Sequence, residues 1–274
     1  MNHNIFGFHP GTSIIHRLTG TTKLVIFLAL TIFGSLSFDL RYLILLSVVA
    51  LVALYVAKIK WADVRTIVWL VTIFAVINLM LIYVFAPQYG VQLFGSKTVL
   101  FGSGHYALTF EQLYYEFIVF VKYLFAVPLA LVFLLTTNPS EFAAGLNRIG
   151  ISYRVAYAVA LALRYIPDIQ VSYQTISKVQ QARGHDLSKK ASLWKRLKGA
   201  LGIMVPLMFA SLNQIDAVSQ AMDLRRFGKQ KRRTWYYAQS FARIDWLALG
   251  FAVALIALEM YLLWQNGGRF WYPF

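Results

Sequence analysis

Arg183 and Arg225 are the side chains of this sequence best placed for a specific polar contact, because each one continues an apolar helical stripe. Before Arg183 the stripe runs Ile169, Tyr173, Ile176 and Val179, with spacings of four, three, three and four. Before Arg225 it runs Met208, Leu212, Ile215, Val218 and Met222. Two chemistries fit this arrangement. A guanidinium in the last turn interacts with the helix dipole, typically by about 0.3 to 1 kcal/mol, and Gly184 suits the left-handed position after such a turn. Alternatively, the stripe supplies hydrophobic contact to another protein while a bidentate arginine to carboxylate pair sets the register. The residue types and spacing leave both open.

Glu116, Lys122 and Glu259 fall within apolar segments, where an ionisable group costs about 2.5 to 3.5 kcal/mol on insertion scales. Lys122 is expected to snorkel or to pair with one of the acids, and a proton or ion pathway is the other reading. The five histidines form no metal-ligand spacing, and the absence of cysteine excludes thiolate sites, so no metal or cofactor is expected in this chain. There is no Walker A glycine-lysine motif, so any ATP must be bound by another chain. The basic residues Lys189, Lys190, Lys195, Arg196 and Lys198, with the run 229–233, suit anionic lipid at about 1 kcal/mol per close charge. They flank apolar helices and no nucleic-acid reading module accompanies them, so no nucleic-acid partner is expected.

The elements that carry these residues belong to a chain whose solvent is lipid. It is 59% hydrophobic and only 14% charged. Five apolar segments, 22–38, 40–57, 64–86, 113–137 and 244–264, approach or reach the length that crosses about 30 Å of hydrocarbon. The first 22 residues lack the apolar run of a cleaved signal peptide, so the first span is expected to be retained. Glycines between 87 and 112 predict turns and a small hairpin. With the N terminus inside, 22 of the 26 lysines and arginines lie on the cytoplasmic side, which predicts a cytoplasmic N terminus and an outer C terminus anchored by Phe270, Trp271 and Tyr272. The layout is an N-terminal membrane region, 1–137, with about four spans, then a cytoplasmic region of amphipathic helices, 138–243, then a last span and outer tail, 244–274. Asn138-Pro139-Ser140-Glu141 predicts a helix start, and Pro167 and Pro206 predict kinks or breaks.

Several of these stretches resemble the transmembrane T component of energy-coupling factor (ECF) transporters. Ser13-Ile14-Ile15-His16-Arg17-Leu18 and Lys23-Leu24 are similar to the family's approach to its first span, with Thr19-Gly20-Thr21 where Asp-Pro-Arg is common. Asn138-Pro139-Ser140-Glu141-Phe142, Leu163-Arg164-Tyr165-Ile166-Pro167, Gln181-Ala182-Arg183-Gly184 and Ala221 through Phe227 follow in the family's order. The resemblance implies an all-α polytopic membrane protein with about five transmembrane helices plus cytoplasmic amphipathic coupling helices. It implies two Xaa-Arg-Xaa docking motifs, Ala182-Arg183-Gly184 and Leu224-Arg225-Arg226, with Arg226 in the usual glycine place.

The partners implied are two ABC ATPase subunits, which would hold ATP and Mg, and a small membrane S component that binds the substrate. The function implied is a non-catalytic coupling subunit of an importer for vitamins or other micronutrients. A membrane-anchored scaffold and a self-contained solute or ion carrier are the readings from other classes.

Overall fold

The computed structural model describes residues 11–102, 104, 106–184, 193–230, 234–236 and 239–272, with the backbone alone for 193–198. The chain divides into two compact units, 1–145 with 239–274, and 146–238.

The first unit is a helical bundle. Its helices are α1 (Gly20–Leu36), α2 (Leu40–Val56), α3 (Trp61–Phe85), the short α4 (Tyr89–Phe94), α5 (Phe110–Thr136), most of α6 (Pro139–Arg148) and α9 (Arg243–Asn266). Between α4 and α5 lies an antiparallel hairpin of β1 (Val99–Phe101) and β2 (Leu108–Thr109). The helices α3, α5 and α9 are long and apolar enough to cross a membrane. The helices α1 and α2 are apolar but only 17 residues each, about 25 Å at 1.5 Å per residue. These five elements coincide with the five apolar segments expected from the sequence, and the chain is an all-α multi-pass membrane protein.

The core of this unit is where α1, α2, α5 and α9 meet. Leu30, Tyr42, Leu43, Leu46, Ile118, Phe125 and Leu255 are buried together there. By contrast α3 packs mainly on α5, through Val64 against Leu131 and Leu135, and exposes apolar side chains along its length. An exposed apolar surface of this extent has a favourable partner in hydrocarbon.

One end of the bundle gathers the end of α1, the start of α2, α4, the hairpin, the start of α5 and the end of α9. Asp39 caps α2 by accepting from the Arg41 backbone N–H at 2.9 Å, and it is held by Arg41 Nη2 at 2.7 Å and Asn266 Nδ2 at 2.8 Å. Tyr272 stacks on Phe94 at 4.8 Å, the Tyr114 hydroxyl donates to the Trp271 carbonyl at 3.0 Å, and Arg41 lies 4.4 Å over the Trp271 ring. The expected aromatic anchor therefore packs on protein rather than standing free.

The other end joins the starts of α1 and α9 to the end of α5 and to α6. Thr19 caps α1 and donates from its N–H to Asp245 Oδ1 at 2.9 Å. Lys23 Nζ donates to the Thr136 carbonyl at 2.7 Å. A β-carbon at Gly20 would lie 2.7 Å from Glu141 Cβ, so only glycine permits α6 to approach α1 this closely.

The second unit contains two long helices, α7 (Tyr153–Ala182) and α8 (Leu193–Leu224), with Pro167 inside one and Pro206 inside the other. The segment 199–224 of α8 also reaches spanning length, but its mean hydropathy of 1.4 is below the 2.1 to 2.6 of α3, α5 and α9.

Candidate functional site

The helix α7 starts at a Ser152 cap, and α7 and α8 end in the same way. Arg183 is the C-cap of α7, with its N–H donating to the Val179 and Gln180 carbonyls, both at 3.1 Å. Gly184 follows at φ 85° and its N–H returns to the Gln181 carbonyl at 3.0 Å. At the end of α8, Arg225 N–H donates to Ala221 O at 3.2 Å, Arg226 N–H to Asp223 O at 2.9 Å, and Phe227 N–H to Met222 O at 2.9 Å. This pair of bonds across a left-handed residue is the Schellman termination. Arg226 takes the left-handed place at φ 53°, the same place that Gly184 takes after α7.

Each Xaa-Arg-Xaa stretch is thus the last helical residue, the cap and the reversal. All six residues, Ala182, Arg183, Gly184, Leu224, Arg225 and Arg226, are exposed, and Leu224 is 86% exposed. An apolar side chain beside a guanidinium at a helix end offers contact area and a bidentate donor together.

The two motifs are far apart. Gln180 Nε2, one turn before Arg183, donates to Gly202 O in the first half of α8 at 3.1 Å. At the opposite end, Phe227 lies against the first turns of α7, its ring 5.6 Å from Tyr153 and 4.6 Å from Tyr157. The helices therefore run in opposite directions. With 30 residues in α7, Arg183 and Arg225 are separated by on the order of 40 Å. One molecule presents two similar, exposed helix ends.

A group of residues not singled out in the sequence fixes the Arg225 end. Besides the aromatic contacts of Phe227, Arg154 Nη2 donates to the Gly228 carbonyl at 2.7 Å. Trp235 Nε1 donates to Asn147 Oδ1 at 3.0 Å, and Asn147 Nδ2 to the Ile151 carbonyl at 2.8 Å. The four-residue spacing of Tyr153 and Tyr157 was the available signal, since it puts both rings on one helix face. Their partner, 70 residues later, is not visible in any local pattern.

Of the ionisable groups in the bundle, Lys122 and Glu259 lie within electrostatic reach of one another, and Glu116 stands apart. Lys122 Nζ donates to Ser35 O at 2.8 Å and lies 3.6 Å from the Phe38 ring centre. A cation at the last carbonyls of α1 answers that helix's dipole. Glu116 accepts from Gln112 at 3.0 Å instead of pairing with Lys122. Glu259 is buried between Leu255 and Leu262 on the core face of α9. Among the described residues no group of three histidine, aspartate or glutamate side chains could hold a metal ion.

Residues 11–236 match the family described as cobalt transport protein, CbiQ. A protein of Leuconostoc gelidum subsp. gasicomitatum, named energy-coupling factor transporter transmembrane protein EcfT, is 26% identical over 280 residues, covering 96% of this chain and 99% of that protein. A protein of the same name from Limosilactobacillus fermentum is 28% identical, covering 93% of this chain and 95% of its own. A longer Bifidobacterium longum chain, whose name calls it an ABC transporter ATP-binding protein, is 29% identical over 90% of this chain but only 31% of its own length.

Proposed function

Because the chain belongs to the CbiQ family of cobalt transport proteins, we propose that it is the transmembrane coupling subunit of an ECF-type ABC importer. It is non-catalytic, and it passes the motion of two ABC ATPase subunits to a separate membrane subunit that binds a vitamin or another micronutrient. ATP and Mg belong to the ATPases. The curated relatives that match nearly end to end carry the transmembrane-protein name, and the Bifidobacterium longum relative carries an ATP-binding name on a chain of which this sequence matches a third.

The observation that carries this reading is the pair of alike, exposed helix ends at opposite ends of α7 and α8. A single peripheral anchor needs one such end, whereas two ATPase subunits need two. Arg183 and Arg225 enter a groove on each ATPase and meet carboxylates there, with Ala182 and Leu224 supplying apolar contact and Gly184 and Arg226 reversing the chain clear of the groove. Rotation of the ATPases on nucleotide binding then acts on α7 and α8 from both ends. The N terminus and 138–243 are cytoplasmic and the C terminus is outside, in accord with the placement of basic residues.

The test is co-purification in mild detergent after coexpression with the cognate ATPases. Truncating one partner of a buried charge pair costs about 2 to 5 kcal/mol, and the second site retains part of the binding through effective concentration. Arg183→Glu or Arg225→Glu alone is therefore expected to leave a weakened complex. The double change is expected to abolish ATPase recovery and ATP-driven uptake while membrane insertion is kept, and Lys195→Glu with Lys198→Glu to have a modest effect. Normal recovery and uptake with the double variant would return both arginines to a purely local helix-capping role, and uptake by the purified chain alone would favour a self-contained carrier.

A further inference from the structure

A cavity of about 190 Å³ lies within the bundle between α1, α2, α5 and α9. Its wall includes Phe27, Ala53, Phe133, Ala248 and Phe251, and the polar side chains on it are Lys23 and Thr136 alone. Phe27 and Phe133 stack at 4.7 Å, and Phe251 is 54% exposed, so the wall reaches the outer surface of the helices. A cavity of this size lined by aliphatic and aromatic groups holds no stable water and takes an apolar ligand. Around membrane-spanning helices, the apolar molecules at hand are lipid chains.

The charge at the mouth selects among lipids. Ile15 and Leu18 line the cavity on either side of Arg17, which is exposed. Thr19, two residues after Arg17, is hydrogen-bonded to Asp245, two residues after the exposed Arg243. Both guanidiniums therefore leave the backbone at one edge of the bundle. Asp245 at this edge is buried and occupied by Thr19 and the Ala242 N–H, and Lys23 stands beside Glu141. The aromatic Trp246, 66% exposed, is of the type that sits at headgroup level.

We propose that this cavity binds a segment of one acyl chain of an anionic glycerophospholipid, whose phosphate is met by Arg17 and Arg243. The chain enters past Phe27, Phe133 and Phe251 and fills the space between the four helices. It acts as a removable part of the core, so the packing of α1 on α5 and α9 depends on membrane composition.

The experiment uses the full chain in a neutral detergent with three probes: dioleoyl phosphatidylglycerol carrying a diazirine at mid-chain, the phosphatidylcholine counterpart, and oleate. Light-induced attachment is expected on the peptides containing Phe27, Phe133 or Phe251, with unlabelled phosphatidylglycerol competing and phosphatidylcholine competing poorly. One arginine near the surface supports roughly a fivefold preference for an anionic lipid, so Arg17→Gln with Arg243→Gln is expected to reduce that preference by roughly 30-fold. Filling the cavity with Ala248→Phe is expected to abolish attachment at all three peptides.

Equal attachment along the exposed face of α3 would overturn the site, and so would an unchanged preference in the arginine variant. Competition by oleate equal to that of phosphatidylglycerol would assign the cavity to a fatty acid instead. Should Ala248→Phe not fold, the competition series on the unaltered protein decides the same question.

Discussion

At φ 53°, Arg226 holds a backbone region in which its own β-carbon is crowded, at a cost of about 1 to 2 kcal/mol relative to glycine or a right-handed conformation. Arg226→Gly is expected to relieve about 1 kcal/mol of that strain and to raise the apparent melting temperature of the purified protein in detergent. The same change is expected to leave ATPase recovery close to normal, because Arg225 still provides the guanidinium. A fall in melting temperature would mean that the arginine side chain stabilises this turn by more than its backbone costs. Arg183 and Gly184 were legible as a helix end from local chemistry, since glycine after a stripe signals the reversal by itself. Arg226 was legible only through likeness to a glycine-bearing pattern, because nothing in an arginine announces a positive φ.

The helix ends show the same contrast among elements. In the sequence the fourth apolar segment begins at 113, directly after Glu111 and Gln112. The structure starts α5 at Phe110, because Glu111 accepts from the Thr98 N–H at 2.9 Å and Gln112 accepts from the Gly90 N–H at 2.9 Å. Polar residues in a first turn are tolerated when another segment supplies their donors, and that segment was too irregular to place beforehand. The start of α2 gives a measurable case. Burial opposes ionisation of Asp39, but hydrogen bonds from Arg41 and Asn266 outweigh it and hold the carboxyl below its ordinary value. A lowered folded-state value stabilises the fold above the ordinary carboxylate range, near about 3.9, and this contribution is lost as pH falls through the folded-state value. Melting curves from pH 7 to pH 3 are therefore expected to show less acid loss in Asp39→Asn than in the unaltered protein, from a lower starting point at pH 7. Parallel curves would exclude Asp39 as a source of the acid sensitivity.

For the whole molecule, the end of the bundle that holds Arg41 and Asn266 is poor in lysine and arginine, while the end with Thr19 and Asp245 carries Arg17, Lys23 and Arg243 and is followed or preceded in sequence by the basic segments. The proposed orientation, with an outer C terminus and a cytoplasmic 138–243, follows from this grouping of charge, and the absence of cysteine makes a clean test possible. Single cysteines at Lys97, Lys229 and Gly268, all exposed positions, are expected to react with an impermeant thiol reagent in intact cells at the first and third only. Labelling at position 229 would reverse the orientation. The place and order of the five apolar helices were readable because apolar length is a property of the chain itself, whereas the spanning length of 199–224 in α8 was masked by its amphipathic pattern. The clasp of Tyr153, Tyr157, Phe227 and Trp235, and the cavity beside Lys23, were not, because each is assembled from segments that meet only after folding.

The shortness of α1 and α2 bears on the bilayer itself. Two neighbouring helices of about 25 Å stand in hydrocarbon of about 30 Å, α1 between Lys23 and Asp39 and α2 between Arg41 and Lys58, so neither can lengthen its apolar stretch. The lipid beside them must thin, while the lipid beside the 25-residue α3 need not. Hydrophobic mismatch of this kind costs fractions of a kcal/mol per Å and is relieved when another short or tilted element shares the dimple. Elastic deformation of the membrane would then draw a small neighbouring membrane protein toward the α1 and α2 side before any side chain of the two had touched.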